Sequence, residues 1–313
     1  MDTVLITGGT GLVGRALTKL LTEVGYRVII LSRKAGPDSD NALVSYAHWD
    51  VAKQTIDETA IQQADYIVHL AGANVAEKRW TAARKKEIGA SRTQSAALLY
   101  KALEKYPNKV KKVISASGAG YYGEDKGGPA FTEKDPPSDD FLGHTCVAWE
   151  TSILQMRELQ KKVVIIRTGI ALSLAGGALK EFYKPLQFGF ATILGNGEQY
   201  ISWIHLHDLA RIYLSAIVNH DLEGIYNAAA PHPVQHKELV ITMAQEAKGK
   251  SFISVHVPSF ALKLALGEMS VEVLKSCRMS AAKIQETGFV FSYPDIRSAM
   301  EKIFQEKDSQ QEK

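Results

Sequence analysis

The N-terminal segment constrains the fold of this chain more than any other stretch. An apolar run, Val4-Leu5-Ile6, precedes Thr7-Gly8-Gly9-Thr10-Gly11-Leu12-Val13-Gly14, and an amphipathic pattern follows. This order predicts a strand, a glycine turn and a helix that begins near Leu12. The three-residue spacing of Gly8, Gly11 and Gly14 lets the chain turn sharply, present backbone N–H groups to a pyrophosphate and pack the helix against the strand. We therefore predict a nucleotide-binding turn, with a purely structural tight turn as the alternative.

Further apolar runs alternate with helical patterns through the first half of the chain. Strands are predicted at 28–31, 66–70, 110–115 and 163–166, and helices at about 79–106 and 143–159. Continuous β-branched runs separated by helices indicate a parallel sheet that is covered on both faces. The predicted fold is therefore α/β, a doubly wound parallel Rossmann sheet. Asp208 is the predicted N-cap of a later helix.

The pattern changes in the second half, where the elements become short and mostly helical. We predict an NADP-binding Rossmann domain over 1–230, in which 171–200 contributes to a substrate cleft. A small C-terminal substrate-side domain is predicted over 231–304. The polar residues 305–313 are predicted to form a disordered tail.

Composition narrows the class of partner. The net charge is +3 and the basic residues are spread along the chain, so no basic stripe favours nucleic acid. Cys146 and Cys277 lie far apart without metal-ligand spacing, and His205, His207 and Asp208 lack a convincing further ligand, so no metal site is predicted. No signal segment or membrane span is evident. We expect a cytoplasmic monomer or homodimer that binds a small-molecule substrate and neither nucleic acid nor a membrane.

The end of the second strand bears on the choice of cofactor. Enzymes that prefer NAD usually carry a carboxylate there, whereas this chain has Ser32-Arg33-Lys34. A guanidinium can bind the 2′-phosphate through two charge-assisted hydrogen bonds, which favours NADP. The alternative is a solvated basic pair. Leu70-Ala71-Gly72 follows a strand and is a second candidate nucleotide contact, or else an ordinary tight turn.

Several short motifs together resemble a known family. They are His69-Leu70-Ala71-Gly72, Ser91-Arg92, Gly120-Tyr121-Tyr122-Gly123, Trp149-Glu150, Ile204-His205-Leu206-His207-Asp208-Leu209 and Gly288-Phe289-Val290-Phe291-Ser292-Tyr293-Pro294. With the glycine turn, they resemble the extended short-chain dehydrogenases/reductases. The end region resembles the atypical NAD(P)-dependent epimerase-like subfamily that has its own short C-terminal domain and includes proteins once labelled cell-division inhibitors. The resemblance implies the fold and the cofactor more strongly than it implies a reaction.

The resemblance also implies a set of cofactor-binding residues. Glu87 and Arg92 on the long helix would approach the cofactor, with a surface helix pair as the alternative. The complete predicted set is Gly8, Thr10, Gly11, Leu12, Val13, Gly14, Ser32, Arg33, Lys34, Leu70, Ala71, Gly72, Glu87, Arg92, Ser115 and Arg167.

The catalytic pattern of the wider family is incomplete in this chain. A Tyr-x-x-x-Lys pair on one helix face normally handles the proton. By resemblance, those positions are Leu142 and Cys146, which cannot replace a phenol and an ammonium. The predicted catalytic residues are therefore Ser117, Tyr121 and Tyr122, although the two tyrosines have packing roles as an alternative. Gly118 is the other possible match to the serine position.

Two functions follow from this mixture of retained and missing groups. One is an NADP(H)-binding oxidoreductase or epimerase-like enzyme that acts on a small polar carbonyl or a sugar-like substrate. The other is a catalytically silent NADP(H)-binding redox sensor or regulatory protein. In the first case, Arg167, Trp203 and His205 are candidate walls of the substrate cleft.

Overall fold

The computed structural model describes residues 1–34 and 41–311, built around a central eight-stranded sheet. The strands are β1 (Thr3–Thr7), β2 (Arg27–Ser32), β3 (Val44–Asp50), β4 (Thr55–Ile56), β5 (Tyr66–His69), β6 (Lys112–Gly118), β7 (Lys162–Thr168), β8 (Ile170–Leu172), β9 (Phe190–Leu194), β10 (Tyr200–Ile201), β11 (Trp203–His205), β12 (Gly224–Ala228), β13 (Val234–Gln235) and β14 (Ile253–Val257). The α-helices are α1 (Leu12–Glu23), α2 (Glu58–Gln63), α3 (Ala82–Lys105), α4 (Phe141–Leu154), α5 (Gly177–Gln187), α6 (Leu206–Val218), α7 (His236–Lys248), α8 (Ser259–Leu266), α9 (Ser270–Leu274), α10 (Ala282–Glu286) and α11 (Ile296–Gln311). Single 3₁₀ turns span Ala119–Tyr121, Gln155–Leu159 and Gly267–Met269.

The central sheet has the strand order β12-β7-β6-β5-β1-β2-β3-β4. Neighbours from β12 to β3 pair in parallel, and β4 pairs antiparallel with β3 at one edge. Every residue of β1 and β5 is buried, as expected for strands that are covered on both faces. The predicted doubly wound Rossmann architecture is confirmed.

Helices cover the two faces of the sheet as separate layers. On one face, Leu17 and Leu21 of α1 pack in the same core as Leu209 and Ile212 of α6. On the other face, apolar residues of α3 and α4 form a second core with the sheet. The carboxyl ends of the parallel strands lie between these layers at one edge, which is where this fold class binds ligands.

Short two-stranded sheets occupy the second half of the chain. β8 pairs in parallel with β11, β9 pairs in parallel with β14, and β10 pairs antiparallel with β13. Each strand has five residues or fewer, and its partner is distant in sequence, so the sequence pattern did not reveal them. The prediction of a smaller, mostly helical C-terminal lobe is confirmed at the level of the helices.

Asp208 does not cap α6, contrary to the sequence-based prediction. His205 is the N-cap, and its Nδ1 accepts the backbone N–H of His207 at 3.1 Å. The fully buried carboxylate of Asp208 instead accepts the backbone N–H groups of Ser292 and Tyr293, at 3.0 and 2.9 Å. A residue one turn inside the helix therefore fastens the C-terminal segment to α6.

The C-terminal segment also completes the core of the Rossmann sheet. Ile284, Phe289 and Phe291 pack with residues of α1 and α6. Conversely, Leu172 belongs to the core that α7 and α11 form. Residues before and after position 230 therefore share two apolar cores. The domain boundary at 230 stays a prediction.

The last helix extends beyond the expected end of ordered structure. α11 continues through residue 311, whereas the sequence predicts disorder from residue 305. Ile303 and Phe304 are buried and anchor the preceding turn, and Lys302 pairs with Glu306 at 3.3 Å. The side chain of Lys307 lies over the Tyr183 ring, with Nζ 5.5 Å from its centroid. These contacts explain why a polar sequence is helical here; residues 312–313 lie outside the described residues.

Gly14 gives a direct test of how closely α1 packs on the glycine turn. A Cβ at Gly14 would lie 2.4 Å from the carbonyl oxygen of Gly8, which is backbone and cannot rotate away. We expect Gly14→Ala to lower the free energy of unfolding by about 2–3 kcal/mol, the usual cost of overpacking. Urea denaturation would measure this change.

Gly89 in α3 provides the matched control. No atom lies within 4 Å of a Cβ built there. Gly89→Ala should therefore raise the free energy of unfolding by about 0.5–1 kcal/mol through helix propensity. Equal effects of the two substitutions would contradict the close approach at Gly14.

Candidate functional site

The glycine turn presents backbone N–H groups at the start of α1. Gly8 has φ = +71°, and the N–H of Gly11 donates to Gly8 O at 3.0 Å. Gly11 is the N-cap of α1, and no side chain caps this end of the helix. The N–H groups of Leu12 and Val13 lie at the uncapped, positive end of the helix, which is suited to an anion. The turn has the shape of a pyrophosphate cradle.

The loop after β5 lies directly against this turn. A Cβ at Gly8 would come within 2.9 Å of the carbonyl carbon of Leu70. The Thr7 hydroxyl accepts the N–H groups of Leu70 and Ala71, at 3.1 and 3.2 Å. The structure thus brings together the glycine turn and the second predicted nucleotide contact.

The buried side chain of His69 connects the glycine turn to α3 by hydrogen bonds. Because Thr7 Oγ1 already accepts two N–H groups, its own proton is available to His69 Nδ1, at 2.7 Å. His69 Nε2 therefore carries the ring proton and donates to Ser95 Oγ at 3.2 Å, and Ser95 donates to Ser91 O at 2.7 Å. Burial lowers the pKa of His69 to about 3. The neutral ring links β1, β5 and α3 beneath the turn.

The basic residues predicted to select the cofactor lie at the end of β2. Ser32 is half-buried and accepts the N–H of Lys34 at 3.3 Å, while Arg33 and Lys34 are exposed. No carboxylate pairs with Arg33 among residues 1–34 and 41–311. Within that part of the chain, the exposed guanidinium is not held in an ion pair.

Arg92 and Glu87 of α3 have different surroundings. The Arg92 guanidinium lies against Gly72, donates to Ala73 O at 3.1 Å and stacks on Trp149 with Cζ 4.9 Å from the ring centroid. Burial lowers the pKa of Arg92. Glu87 is exposed and pairs with Arg84 instead, at 2.7 Å. Arg92 borders the nucleotide turn, whereas Glu87 holds a neighbouring side chain.

Three polar side chains form a row across adjacent strands of the sheet. Ser117 of β6 is in register with Arg167 of β7, and Arg167 is in register with Asn227 of β12. All three lie near the carboxyl ends of their strands and are at least nine-tenths buried. This row is the centre of a hydrogen-bonded network.

Glu150 of α4 joins the row from the helix layer. Its carboxylate accepts Ser117 Oγ at 2.6 Å, and Arg167 Nε and Nη2 at 2.9 and 2.8 Å. Burial alone would lower the pKa of Arg167, but the two bonds to Glu150 outweigh it, so the pKa of Arg167 is raised. The guanidinium and the carboxylate form a bidentate pair. The only proton on Ser117 Oγ is directed to Glu150.

The two candidate tyrosines differ in what their hydroxyl groups contact. Tyr122 is fully buried, accepts Arg167 Nη1 at 3.0 Å and donates to Asn227 Oδ1 at 2.7 Å. Burial raises the pKa of Tyr122 to about 12. Tyr121 is partly exposed, with its ring 3.3 Å from Arg167 Cζ. Among the described residues, no hydrogen bond is made by the Tyr121 hydroxyl.

Other predicted site residues lie inside the protein. Ser115 is 1% exposed and donates to Ala116 O at 3.0 Å. Trp203, a candidate cleft wall, is completely buried and donates to His232 O. Arg167 belongs to the ion pair with Glu150. None of these side chains presents a surface to a cleft, so their assignment to the cofactor or substrate stays a prediction.

A metal-binding cluster and a membrane-spanning helix are both absent from the described residues. Within residues 1–34 and 41–311, no three His, Cys, Asp or Glu side chains are grouped so that they could hold a metal ion. In the same part of the chain, no helix is both long enough and apolar enough to cross a bilayer.

Comparison with known proteins assigns the family. Residues 4–168 match the NAD dependent epimerase/dehydratase family, and residues 257–303 match a domain of unknown function, DUF1731. Epimerase family protein SAR0825 of Staphylococcus aureus is 38% identical over 306 residues, which are 97% of this chain and 99% of the relative. The chain belongs to the NAD-dependent epimerase/dehydratase family. Epimerase family protein SSP1921 of Staphylococcus saprophyticus is 36% identical over 96% of this chain and 98% of its own length.

Solved structures of this family show the same fold. The human epimerase family protein SDR39U1 (isoform 2), solved with NADPH, superposes with a TM-score of 0.85 at 29% identity and covers 96% of this chain and 98% of that one. A nucleoside-diphosphate sugar epimerase from Corynebacterium glutamicum gives a TM-score of 0.75 at 33% identity, over 96% of this chain and 57% of that one. The sequence-based identification of an epimerase-like member with its own C-terminal domain is confirmed.

The sequence predicts that α4 carries the positions where the wider family has its Tyr-x-x-x-Lys pair, here Leu142 and Cys146. A Cβ at Gly120 would lie 2.9 Å from Leu142 Cβ, so the loop before Tyr121 packs on the position matched to the family tyrosine. Cys146 donates to Gly118 O at 3.8 Å, and burial raises the pKa of this thiol to about 11. Neither Leu142 nor Cys146 can relay a proton at neutral pH.

Asn227 is the member of the network that sequence reasoning missed. Its Nδ2 donates to Phe131 O at 3.1 Å and Ser280 O at 3.2 Å, and its N–H donates to Glu133 Oε1 at 2.7 Å. The available signal was a lone amide after the apolar Ile225-Tyr226 pair. That signal has little specificity without knowledge that β12 lies beside β7.

His69 should make stability fall at acidic pH. Its pKa is about 6.5 in an unfolded chain and about 3 when buried. Between these values the unfolded state binds more protons, so this group costs stability as the pH falls below about 6.5. From pH 7 to pH 5 the cost is about 2 kcal/mol.

The measurement compares the wild type with His69→Gln by urea denaturation at both pH values. Between pH 7 and pH 5, the free energy of unfolding should fall by about 2 kcal/mol less in the variant than in the wild type. The variant should be less stable than the wild type at both pH values. His48→Gln, at an exposed histidine, is the control. An unchanged pH difference in His69→Gln would show that His69 is not held neutral.

Proposed function

We propose that this family member binds NADP(H) and catalyses an oxidoreductase or epimerase-like reaction on a small polar carbonyl or sugar-like compound. The observation that carries the proposal is the pairing of an uncapped glycine turn with an exposed guanidinium at the end of β2. Because Gly8 and Gly14 have no Cβ, the backbone of the turn can make its close contacts. Arg33 pairs with no carboxylate among the described residues. The residues therefore fit a 2′-phosphorylated dinucleotide.

The relatives support both parts of the proposal. The human relative was solved with NADPH, which favours the phosphorylated cofactor. The Corynebacterium relative is described as a nucleoside-diphosphate sugar epimerase, which favours a sugar-like substrate, although this chain spans 57% of its length. When bound, NADP(H) would supply or accept a hydride.

The geometry favours Tyr121 over Ser117 and Tyr122 as the proton-handling residue. Ser117 donates to Glu150, and both contacts of the Tyr122 hydroxyl are buried. The Tyr121 hydroxyl has no such partner among the described residues, and the loop before it packs on Leu142. Tyr121 thus lies beside the position where the family pattern has its tyrosine, and Arg167 fixes its ring. We propose that Tyr121 transfers the proton.

The buried network also favours a second candidate function. If the protein only binds NADP(H) and signals redox state to a partner, no proton-transfer group is needed, and Ser117 can be fixed by Glu150 permanently. The same network fits a catalytically silent protein. The cytoplasmic location remains a proposal, supported by the free thiols of Cys146 and Cys277. The monomer or homodimer remains a prediction.

Arg33 should determine the preference for the phosphorylated cofactor. Two charge-assisted bonds at an exposed site correspond to about a ten- to hundredfold difference in affinity. We expect Arg33→Ala to weaken NADPH binding by that factor and to leave NADH binding unchanged, as measured by calorimetric titration. Arg27→Ala changes the same residue type at the other end of β2 and is the control. Equal loss for both cofactors would refute a contact with the 2′-phosphate.

Turnover tests the role of Tyr121 and separates the two candidate functions. Purified protein with NADPH would be screened against small aldehydes, ketones and nucleotide sugars by following NADPH absorbance. We expect Tyr121→Phe to lower turnover by about a hundredfold or more. Tyr122→Phe should mainly lower stability, because Arg167 and Asn227 lose a buried partner. An epimerisation returns the hydride to the substrate and leaves NADPH absorbance unchanged, so the nucleotide sugars are also tested for epimerised product with the NADP⁺-loaded protein. Tight cofactor binding with neither NADPH oxidation nor epimerised product would favour the silent protein.

A further inference from the structure

A groove on the helix layer lies apart from the proposed nucleotide site. Its volume is about 720 Å³, and it is bordered by α1, α5 and α11. The residues of α1 that line it are Ala16, Lys19, Leu20 and Glu23, a stripe on a different face from Gly14, Leu17 and Leu21, which pack inward. Its lining includes residues of 171–200 and His205, which the sequence predicts to border a substrate cleft, but Ser117, Tyr121 and Tyr122 are not among the lining residues. The groove is large enough for a small organic molecule.

A buried hydrogen-bond donor without a partner lines the groove. His205 is 4% exposed, and its Nδ1 accepts the N–H of His207. Burial lowers the pKa of His205 to about 4, so the ring is neutral and carries its proton on Nε2. No described residue accepts that proton. A buried N–H without an acceptor is unfavourable, and an acceptor bound beside His205 in the groove would satisfy it.

The charges around the groove favour an anion. Four lysines line it, Lys19, Lys180, Lys184 and Lys307, against the two carboxylates of Glu23 and Glu306. Lys19 is 3.9 Å from Glu23, Lys184 pairs with Glu181, Lys307 with Asp308, and Glu306 with Lys302. Lys180 has no carboxylate partner among residues 1–34 and 41–311. Among residues 1–34 and 41–311, the Lys180 ammonium and the His205 Nε2–H therefore remain available to an anion.

Apolar side chains line much of the rest of the groove, together with the polar Ser173, Gln187 and His207. Leu20 of α1, Leu174 of the loop after β8 and Ile303 of α11 contribute apolar surface. Inorganic phosphate would leave these surfaces wet, whereas an anion with an apolar body would cover them. We propose that the groove is a second ligand site that binds a small organic anion, with His205 and Lys180 contacting the anionic group. This site is independent of whether the chain catalyses a reaction.

The test uses 8-anilinonaphthalene-1-sulfonate as the fluorescent probe on the full chain, in saturating NADPH so that the nucleotide site is blocked. We expect one saturable site from which decanoate displaces the probe, while decanol and inorganic phosphate displace it at least tenfold less effectively. Decanol has the apolar body without the charge, and phosphate has the charge without the body.

Two variants assign the probe to this groove. His205→Asn keeps a side-chain oxygen to cap α6 but removes the Nε2 donor. Lys180→Glu reverses a charge on the exposed rim and leaves the core untouched. Each should weaken probe binding about tenfold, with thermal unfolding unchanged for Lys180→Glu. Lys101→Glu, an exposed lysine of α3 beside the opposite face of the sheet, should bind the probe as the wild type does.

Each outcome either supports or contradicts the proposed anion site. Unchanged probe affinity in Lys180→Glu, or equal displacement by decanol and decanoate, would overturn the proposal. If His205→Asn fails to fold, Lys180→Glu still decides. Because NADPH is bound throughout, loss of probe binding in these variants with normal NADPH affinity separates this site from the proposed nucleotide site.

Discussion

The buried ion pair between Glu150 and Arg167 is the interaction on which the candidate site depends. It joins α4 to β7, takes in Ser117 of β6, and reaches β12 through Tyr122 and Asn227. A charge buried this deeply is tolerated because its partner satisfies it, and removing one partner of such a pair typically costs about 3–5 kcal/mol. The geometry of the strand ends is therefore fixed by polar contacts as well as by apolar packing.

The two halves of the candidate site differ in whether they keep the features of the family pattern. The glycine turn, the loop after β5 and the basic end of β2 keep the features that suit a dinucleotide. At the strand ends, groups that could handle a proton are instead bonded to one another. Tyr121 differs from Ser117 and Tyr122 because its ring is held by Arg167 while its hydroxyl makes no bond to a described residue.

The sequence was most informative where a local pattern had one structural meaning. The spacing of Gly8, Gly11 and Gly14 requires close backbone contacts, and the structure contains them. Continuous apolar runs likewise predicted buried parallel strands. The family resemblance further predicted the C-terminal domain, because its motifs recur together.

The sequence was least informative where a residue's role depends on distant partners. Nothing near Ser117 in the sequence indicates that Glu150, 33 positions later, accepts a hydrogen bond from its hydroxyl. Asp208 is a residue type that commonly caps helices, but its carboxylate accepts hydrogen bonds from residues more than 80 positions away. The polar tail is helical because Ile303 and Phe304 anchor it, which is a tertiary effect that composition does not reveal.

The contribution of Ile284, Phe289 and Phe291 to the core beside α1 has a consequence for the order in which the protein forms. The ribosome makes α1 and α6 long before this segment, so their shared apolar surface stays uncovered during most of synthesis. Domains that fold as they emerge usually bury such surfaces early, and exposed ones are prone to aggregation. This chain closes its first core with one of its last segments, so a nascent chain that stalls before residue 284 would keep that surface open to chaperones and proteases.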